Sequence, residues 1–216
     1  MSDIHVSEKL ISFITFLPLF FISLGVHEFA HAFTAWRLGD DTAKNQGRLT
    51  LNPFKHADLI GTYIMPIASF ASGFALIGWA KPVPVNRAKF KDQFKDDAVV
   101  SFAGPFSNFL LALFFFLLLI ITLHSGMADR RALVNLFWYG VFFNIFLFAF
   151  NLLPIPPLDG SHILFDLFPN KFTAAILNLG FYGSIILMVF IYSPLWGYFM
   201  NFVNLILNLF IKTAGL

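Results

Sequence analysis

The chain has 216 residues, of which 58% are hydrophobic and only 12% charged, with 31 phenylalanines, a mean hydropathy of +0.76 and a formal net charge of +2. A soluble domain carries roughly 25% charged residues, so this composition excludes an ordinary water-soluble globule, and so small a net charge gives no reason to expect nucleic acid as a partner. Cysteine is absent, which excludes disulfides and thiolate-bound metal.

A spanning helix needs about 20 mainly apolar residues. Residues 10–36 form the first such run, and it reads as a span and not a cleavable leader, because its start is not basic and it continues too long. In the polar connection 37–58, the stretch Gly47-Arg48-Leu49-Thr50-Leu51-Asn52-Pro53 alternates polar and apolar residues before a breaker, which predicts a short strand. Residues 59–79 have the length of a span but are interrupted by Gly61, Pro66, Gly73 and Gly78, a composition expected of backbone that enters the bilayer and returns. After the polar stretch 81–97 come two further spans, 98–123 and 132–153, joined through 125–131. A second polar stretch, 154–171, leads to the runs 172–192 and 195–211, the latter short but adequate. The expected fold is an all-α polytopic membrane protein: a bundle of five to six transmembrane helices with a re-entrant segment and a short β element.

The first span contains only three ionisable residues, and they lie together in His27-Glu28-Phe29-Ala30-His31. Residues four apart on a helix share a face, so both imidazoles can bind one zinc ion, with Glu28 close enough to take a proton from water held there. The competing reading is a chance match whose histidines are satisfied by packing. It weakens inside a membrane, where each ionisable group costs about 2.5–3.5 kcal/mol to insert.

Two histidines do not complete a catalytic zinc site, which takes three protein ligands and an open position. Asp159 and His162 are the next candidates. They follow Asn151-Leu152-Leu153-Pro154-Ile155-Pro156-Pro157-Leu158, where three prolines in four positions forbid a continuous helix, and Gly160 permits tight backbone geometry. Asp159 reads equally as a metal ligand or as the N-cap of a helix over 161–168. His56 is a weaker competitor for the metal, expected mainly as a solvated loop residue. Asn108 and Asn151 read as amides packed between helices, and Asn144, seven residues before Asn151, as a packing residue.

At these residues the chain resembles the site-2 protease family of intramembrane zinc metalloproteases. The resemblance is carried by His27-Glu28-Phe29-Ala30-His31 and by Leu158-Asp159-Gly160 behind its proline-rich approach. Ala103-Gly104-Pro105-Phe106-Ser107-Asn108 adds a Gly-Pro-x-x-Asn helix motif, and residues 47–58 and 79–85 look like short bacterial-type members. The resemblance implies one Zn2+ per chain on His27, His31 and Asp159, Glu28 as general base, and Asn151 near the site steadying an oxyanion. Asn108, His162 and His56 are weaker candidates for substrate or supporting contacts. It further implies a single protease domain over 1–216, with a catalytic core at about 10–168 and C-terminal helices at about 172–212, and a membrane-protein substrate with a transmembrane segment. No stretch reads as the PDZ or CBS domain of larger relatives.

Topology follows from parity. Asp159 reaches the histidines only if the span 132–153 ends on the side where the first span ended, which requires 59–79 to re-enter. In that arrangement eleven Lys and Arg lie on one side and three (Lys9, Arg130, Arg131) on the other, against eight and six for a full crossing. The positive-inside rule then places the site near the cytoplasmic face of a bacterial inner membrane. The alternatives are a membrane transporter or channel that uses the His/Glu/Asp cluster, and a catalytically silent scaffold.

Overall fold

The computed structural model describes residues 2–72, 78–125 and 129–214. Among these the helices are α1 (Ser2–Arg37), α2 (Thr42–Asn45), α3 (Met65–Ser72), α4 (Gln93–His124), α5 (Arg131–Asn151), α6 (Asp159–Leu167), α7 (Lys171–Leu177), α8 (Phe181–Tyr192) and α9 (Leu195–Ala214). Four are long and apolar enough to cross a membrane: α1 from Phe13, α4, α5 and α9. The chain is an integral membrane protein.

The core lies between α1, α4, α5 and α9, where Leu19, Ala112, Phe115, Val141, Ile145, Val203 and Leu207 are buried. Phe rings extend it: Phe146 and Phe150 of α5 meet Trp196 and Phe199 of α9 edge-on. With lipid outside and no water to expel, such ring contacts and close packing hold a membrane bundle together.

Residues 59–72 run along α1, and Trp79 lies back beside their start. A π-helical turn over Leu59–Ile64, capped by Asp58, leads into α3. Phe54 and Tyr63 lie against Phe21 of α1, and Phe70 stacks on Phe13 at 4.4 Å. Eight residues of α1 separate those levels, roughly 12 Å of helix. The chain then returns: Trp79 N–H donates to Gly61 O at 3.0 Å and Thr62 Oγ1 donates to Trp79 O at 2.8 Å. Of the expected interruptions, Gly73 lies outside the described residues.

Three expectations need correction. No strand forms over residues 47–53. Gly47 adopts a positive φ, Asn52 caps a short 3-10 turn at Pro53–Lys55, and the Thr50 carbonyl is taken by the His56 side chain. The β pairing among the described residues is one isolated bridge, Ala57 to Ala80.

The run 172–192 is not one straight helix. α7 stops at Leu177, Gly180 takes φ +53°, and α8 leaves at 83°. A side chain with a Cβ resists that left-handed conformation, and glycine does not.

The direction of α9 also differs from the parity count. Its start, at Trp196 and Phe199, lies beside Phe146 and Phe150 near the end of α5, whereas Phe210 meets Phe116 far along α4. α9 therefore runs with α4 and against α5, and Lys212 lies on the side of Arg130 and Arg131. The split becomes ten to four, with the bias unchanged in sign.

Candidate metal centre

Three elements converge here. α1 contributes His27 and His31, α6 contributes Asp159 from its first turn, and α4 supports both histidines from behind. Each imidazole has one nitrogen already committed. His31 Nδ1 lies 2.7 Å from Val100 O, which can only accept, so Nδ1 carries the proton. His27 Nδ1 lies 2.6 Å from Asn108 Oδ1. The Asn108 amide is oriented in turn: its Nδ2 donates to Ser23 O at 3.3 Å and to Asn144 Oδ1 at 3.0 Å, and Asn144 Nδ2 donates to Gly140 O at 2.9 Å. Main-chain carbonyls at both ends thus leave Asn108 Oδ1 to accept from His27.

In their neutral form both imidazoles therefore carry the lone pair on Nε2, and these two atoms face each other at 3.0 Å. In that form neither has a hydrogen to give to the other. Asp159 closes the triangle, with Oδ2 3.1 Å from His27 Nε2 and Oδ1 3.4 Å from His31 Nε2. Asp159 Oδ2 is buried without a hydrogen-bond partner. Three electron-rich atoms packed this closely repel one another unless a cation lies among them. A tetrahedral ion with bonds of about 2.0–2.1 Å holds its donor atoms roughly 3.3 Å apart, and the observed separations match. Histidine and carboxylate donors suit zinc.

Gly104 leaves the space beside both Nε2 atoms open. A Cβ there would come within 2.2 Å of His31 Nε2 and 2.7 Å of His27 Nε2. Next to it, Pro105 interrupts the helical ladder, and Val100 O on the preceding turn is the carbonyl that receives His31.

Asp159 is the first residue of α6, and the N-cap position falls to Leu158 without a side-chain cap. The cap reading of Asp159 is therefore not the one adopted. α6 is pinned to α4 by Arg87, which pairs with Asp166 and lies 3.2 Å from Asp97. Burial, reinforced by the Asp97 carboxylate, pushes Asp166 up to about 7.

Glu28 is buried beside the cluster, and its Oε2 accepts the Val83 backbone N–H at 2.9 Å. The remaining candidates lie apart. Asn151 bonds its amide back to Leu147 O. His162 lies 3.8 Å from Asp97 and is half-exposed. His56 is 1% exposed, not solvated, and lies between Arg48 and Thr50 O. Sequence reasoning passed over Arg48, Val83 and the supporting role of Asn144. An arginine inside the Gly47–Pro53 stretch was the available signal for the first.

The family model of Peptidase family M50 matches residues 119–192, a stretch that holds Asp159 but not the two histidines. The chain is 44% identical over 181 residues to "Putative zinc metalloprotease YwhC" of Bacillus subtilis, covering 82% of this chain and 80% of that one. It is 33% identical over 187 residues to "Putative zinc metalloprotease Rip2" of Mycolicibacterium smegmatis, covering 84% and 68%. The Mycobacterium tuberculosis H37Rv protein of the same name is 31% identical over 207 residues, covering 91% and 74%. No solved structure gives a significant match.

Proposed function

The chain belongs to peptidase family M50, the site-2 proteases, and we propose that it hydrolyses peptide bonds in or near transmembrane segments with zinc on His27, His31 and Asp159 and with Glu28 as general base. The observation that carries this reading is the convergence of three possible ligand atoms, two imidazole Nε2 and one carboxylate oxygen, within 4.8 Å of one another, with Nδ1 of each imidazole committed to α4. When bound, zinc supplies Lewis-acid activation of the scissile carbonyl and of water. Glu28 Oε2 is held by Val83 N–H, which leaves Oε1 to take the proton from attacking water and to return it to the leaving amine nitrogen. One zinc per chain suffices. A transport role is less favoured, because ion passage needs no general base next to a ligand.

The substrate is a membrane protein whose transmembrane segment unwinds before cleavage, since a helical peptide carbonyl is tied into the i→i−4 ladder. The catalytic core comprises about residues 10–168 of a single domain, with the C-terminal helices at about 172–212 packed against it. The ten-to-four charge bias supports a site near the cytoplasmic face of a cell membrane. Asn151, at the end of α5, would serve an oxyanion only after its amide leaves Leu147 O.

Glu28→Gln tests this directly. It is expected to retain one zinc per chain by metal analysis and to lose cleavage of a transmembrane peptide with a central glycine pair. Loss of zinc with this substitution removes the base assignment. Asp159→Ala that binds zinc as tightly as the parent protein removes the third ligand.

A further inference from the structure

Residues 81–86 cross the site as an extended strap. Lys81 and Val83 each precede a proline, which confines them to extended backbone. Pro82 and Pro84 have no N–H, so Val83 is the one donor in the Pro82-Val83-Pro84 stretch, and it is spent on Glu28 Oε2 at 2.9 Å.

The strap is clamped on both sides of that donor. On one side Arg48 Nη2 donates to Lys81 O at 2.6 Å, lies 3.4 Å from Pro82 O, and reaches the His56 ring at 3.4 Å. Lys81 N–H donates to His56 O at 2.8 Å. On the other side Asn86 N–H donates to buried Asp40 at 2.6 Å. Arg48 is 7% exposed, and among the described residues no carboxylate pairs with it. A buried guanidinium without a counter-ion is costly, and this one spends its charge on two strap carbonyls and an imidazole.

We propose that Arg48 and the Val83 amide are positioning groups for the general base: Arg48 fixes the strap so that Val83 N–H holds one Glu28 oxygen and presents the other to the metal centre. This rests on the reading of Glu28 as base. A carboxylate on a two-bond stem swings freely unless one oxygen is tied, and misplacing a reacting group by about 1 Å can cost a hundredfold in rate. All of these Arg48 contacts come from Nη2, so the clamp is one guanidinium nitrogen set against the strap carbonyls and the imidazole.

The test combines two variants with one readout that needs no cleavage. Val83→Pro deletes the N–H from backbone that is already extended, and Arg48→Gln removes the clamp. With a fluorogenic transmembrane peptide carrying a central glycine pair, in phosphatidylethanolamine and phosphatidylglycerol vesicles, each variant is expected to lose about tenfold to about a hundredfold in kcat. KM and zinc affinity stay unchanged, and the double variant loses no more than the worse single. Hydrogen exchange over 82–84 reports one amide only, and Val83 is expected to exchange slowly in the parent protein and fast in Glu28→Ala and Arg48→Gln. Multiplicative losses, an unchanged kcat in Val83→Pro, lost zinc in either variant, or fast Val83 exchange in the parent overturns the proposal. Full cleavage by Glu28→Gln instead sinks the base assignment, a result the exchange readout keeps separate from the clamp.

Discussion

Asn108 on α4 accepts the His27 Nδ1–H at 2.6 Å across 81 residues of chain, and Asn144 on α5 holds the Asn108 amide in the orientation that allows it. The relay fixes which imidazole nitrogen faces His31 and Asp159. Loss of such a partner typically costs 10–100-fold in metal affinity or activity, as an order of magnitude. Asn108→Leu is therefore expected to weaken zinc binding by about tenfold or more, read by chelator competition. Asn144→Leu should weaken it less, because Ser23 O still orients Asn108. Unchanged affinity in both variants removes the relay from the account.

Gly104→Ala places a methyl group where the ion belongs, 2.2 Å from His31 Nε2. The variant is expected to fold and insert but to carry no zinc. Gly197→Ala, whose added carbon meets open space, serves as the control. Stoichiometric zinc in Gly104→Ala would contradict the placement of the centre between α1 and α4.

Topology is open to single-cysteine labelling, since the chain has no native cysteine. Probes at Asn45 and Lys91 are expected to react from one face, because Trp79 bonds back to Gly61 and Thr62 at the start of the segment. Probes at Ser125 and Lys212 are expected to react from the other, because α9 runs parallel to α4. Opposite faces for Asn45 and Lys91 would break the hairpin interpretation. Lys212 labelling with Lys91 would reverse α9.

The acid limb of stability should involve His56. Burial holds its imidazole below the ordinary range, against the pull of Thr50 O and Glu28, with the Arg48 charge adding to the depression. The folded protein thus prefers neutral His56, while the unfolded chain takes up a proton below about pH 6.5. The stability this confers is complete above about 6.5 and is lost as pH falls toward the lower folded value. In detergent, Tm is expected to drop between pH 7.5 and 5.5, and His56→Gln, which can still accept from Arg48 and donate to Thr50 O, should shallow that drop. An equal slope in the variant excludes His56 as a contributor.

Much of the site was legible because its chemistry is written at helical spacing. His27 and His31 share a face by periodicity alone, and Glu28 follows by position. Asp159 was open between ligand and cap until the fold set its carboxylate against both histidines at 3.1 and 3.4 Å. The interrupted composition of residues 59–79 suggested a return, and the Trp79–Gly61 hydrogen bond is consistent with it. The strand expected over 47–53 failed because its polar positions serve caps and buried side-chain bonds in place of a ladder.

By itself the sequence determined the class, the apolar runs, and the histidine pair with Glu28 beside it, since composition and local spacing decide what a bilayer accepts and which side chains share a helix face. Tertiary structure alone decided the Asn108–Asn144 relay, the burial of Arg48 and His56, the 83° break between α7 and α8, and the direction of α9. Each of these depends on which surfaces meet after dozens of intervening residues. In a chain this uniformly apolar, hydrophobicity cannot choose between partners, so shape complementarity at positions such as Gly104 and a few buried hydrogen bonds make the choice.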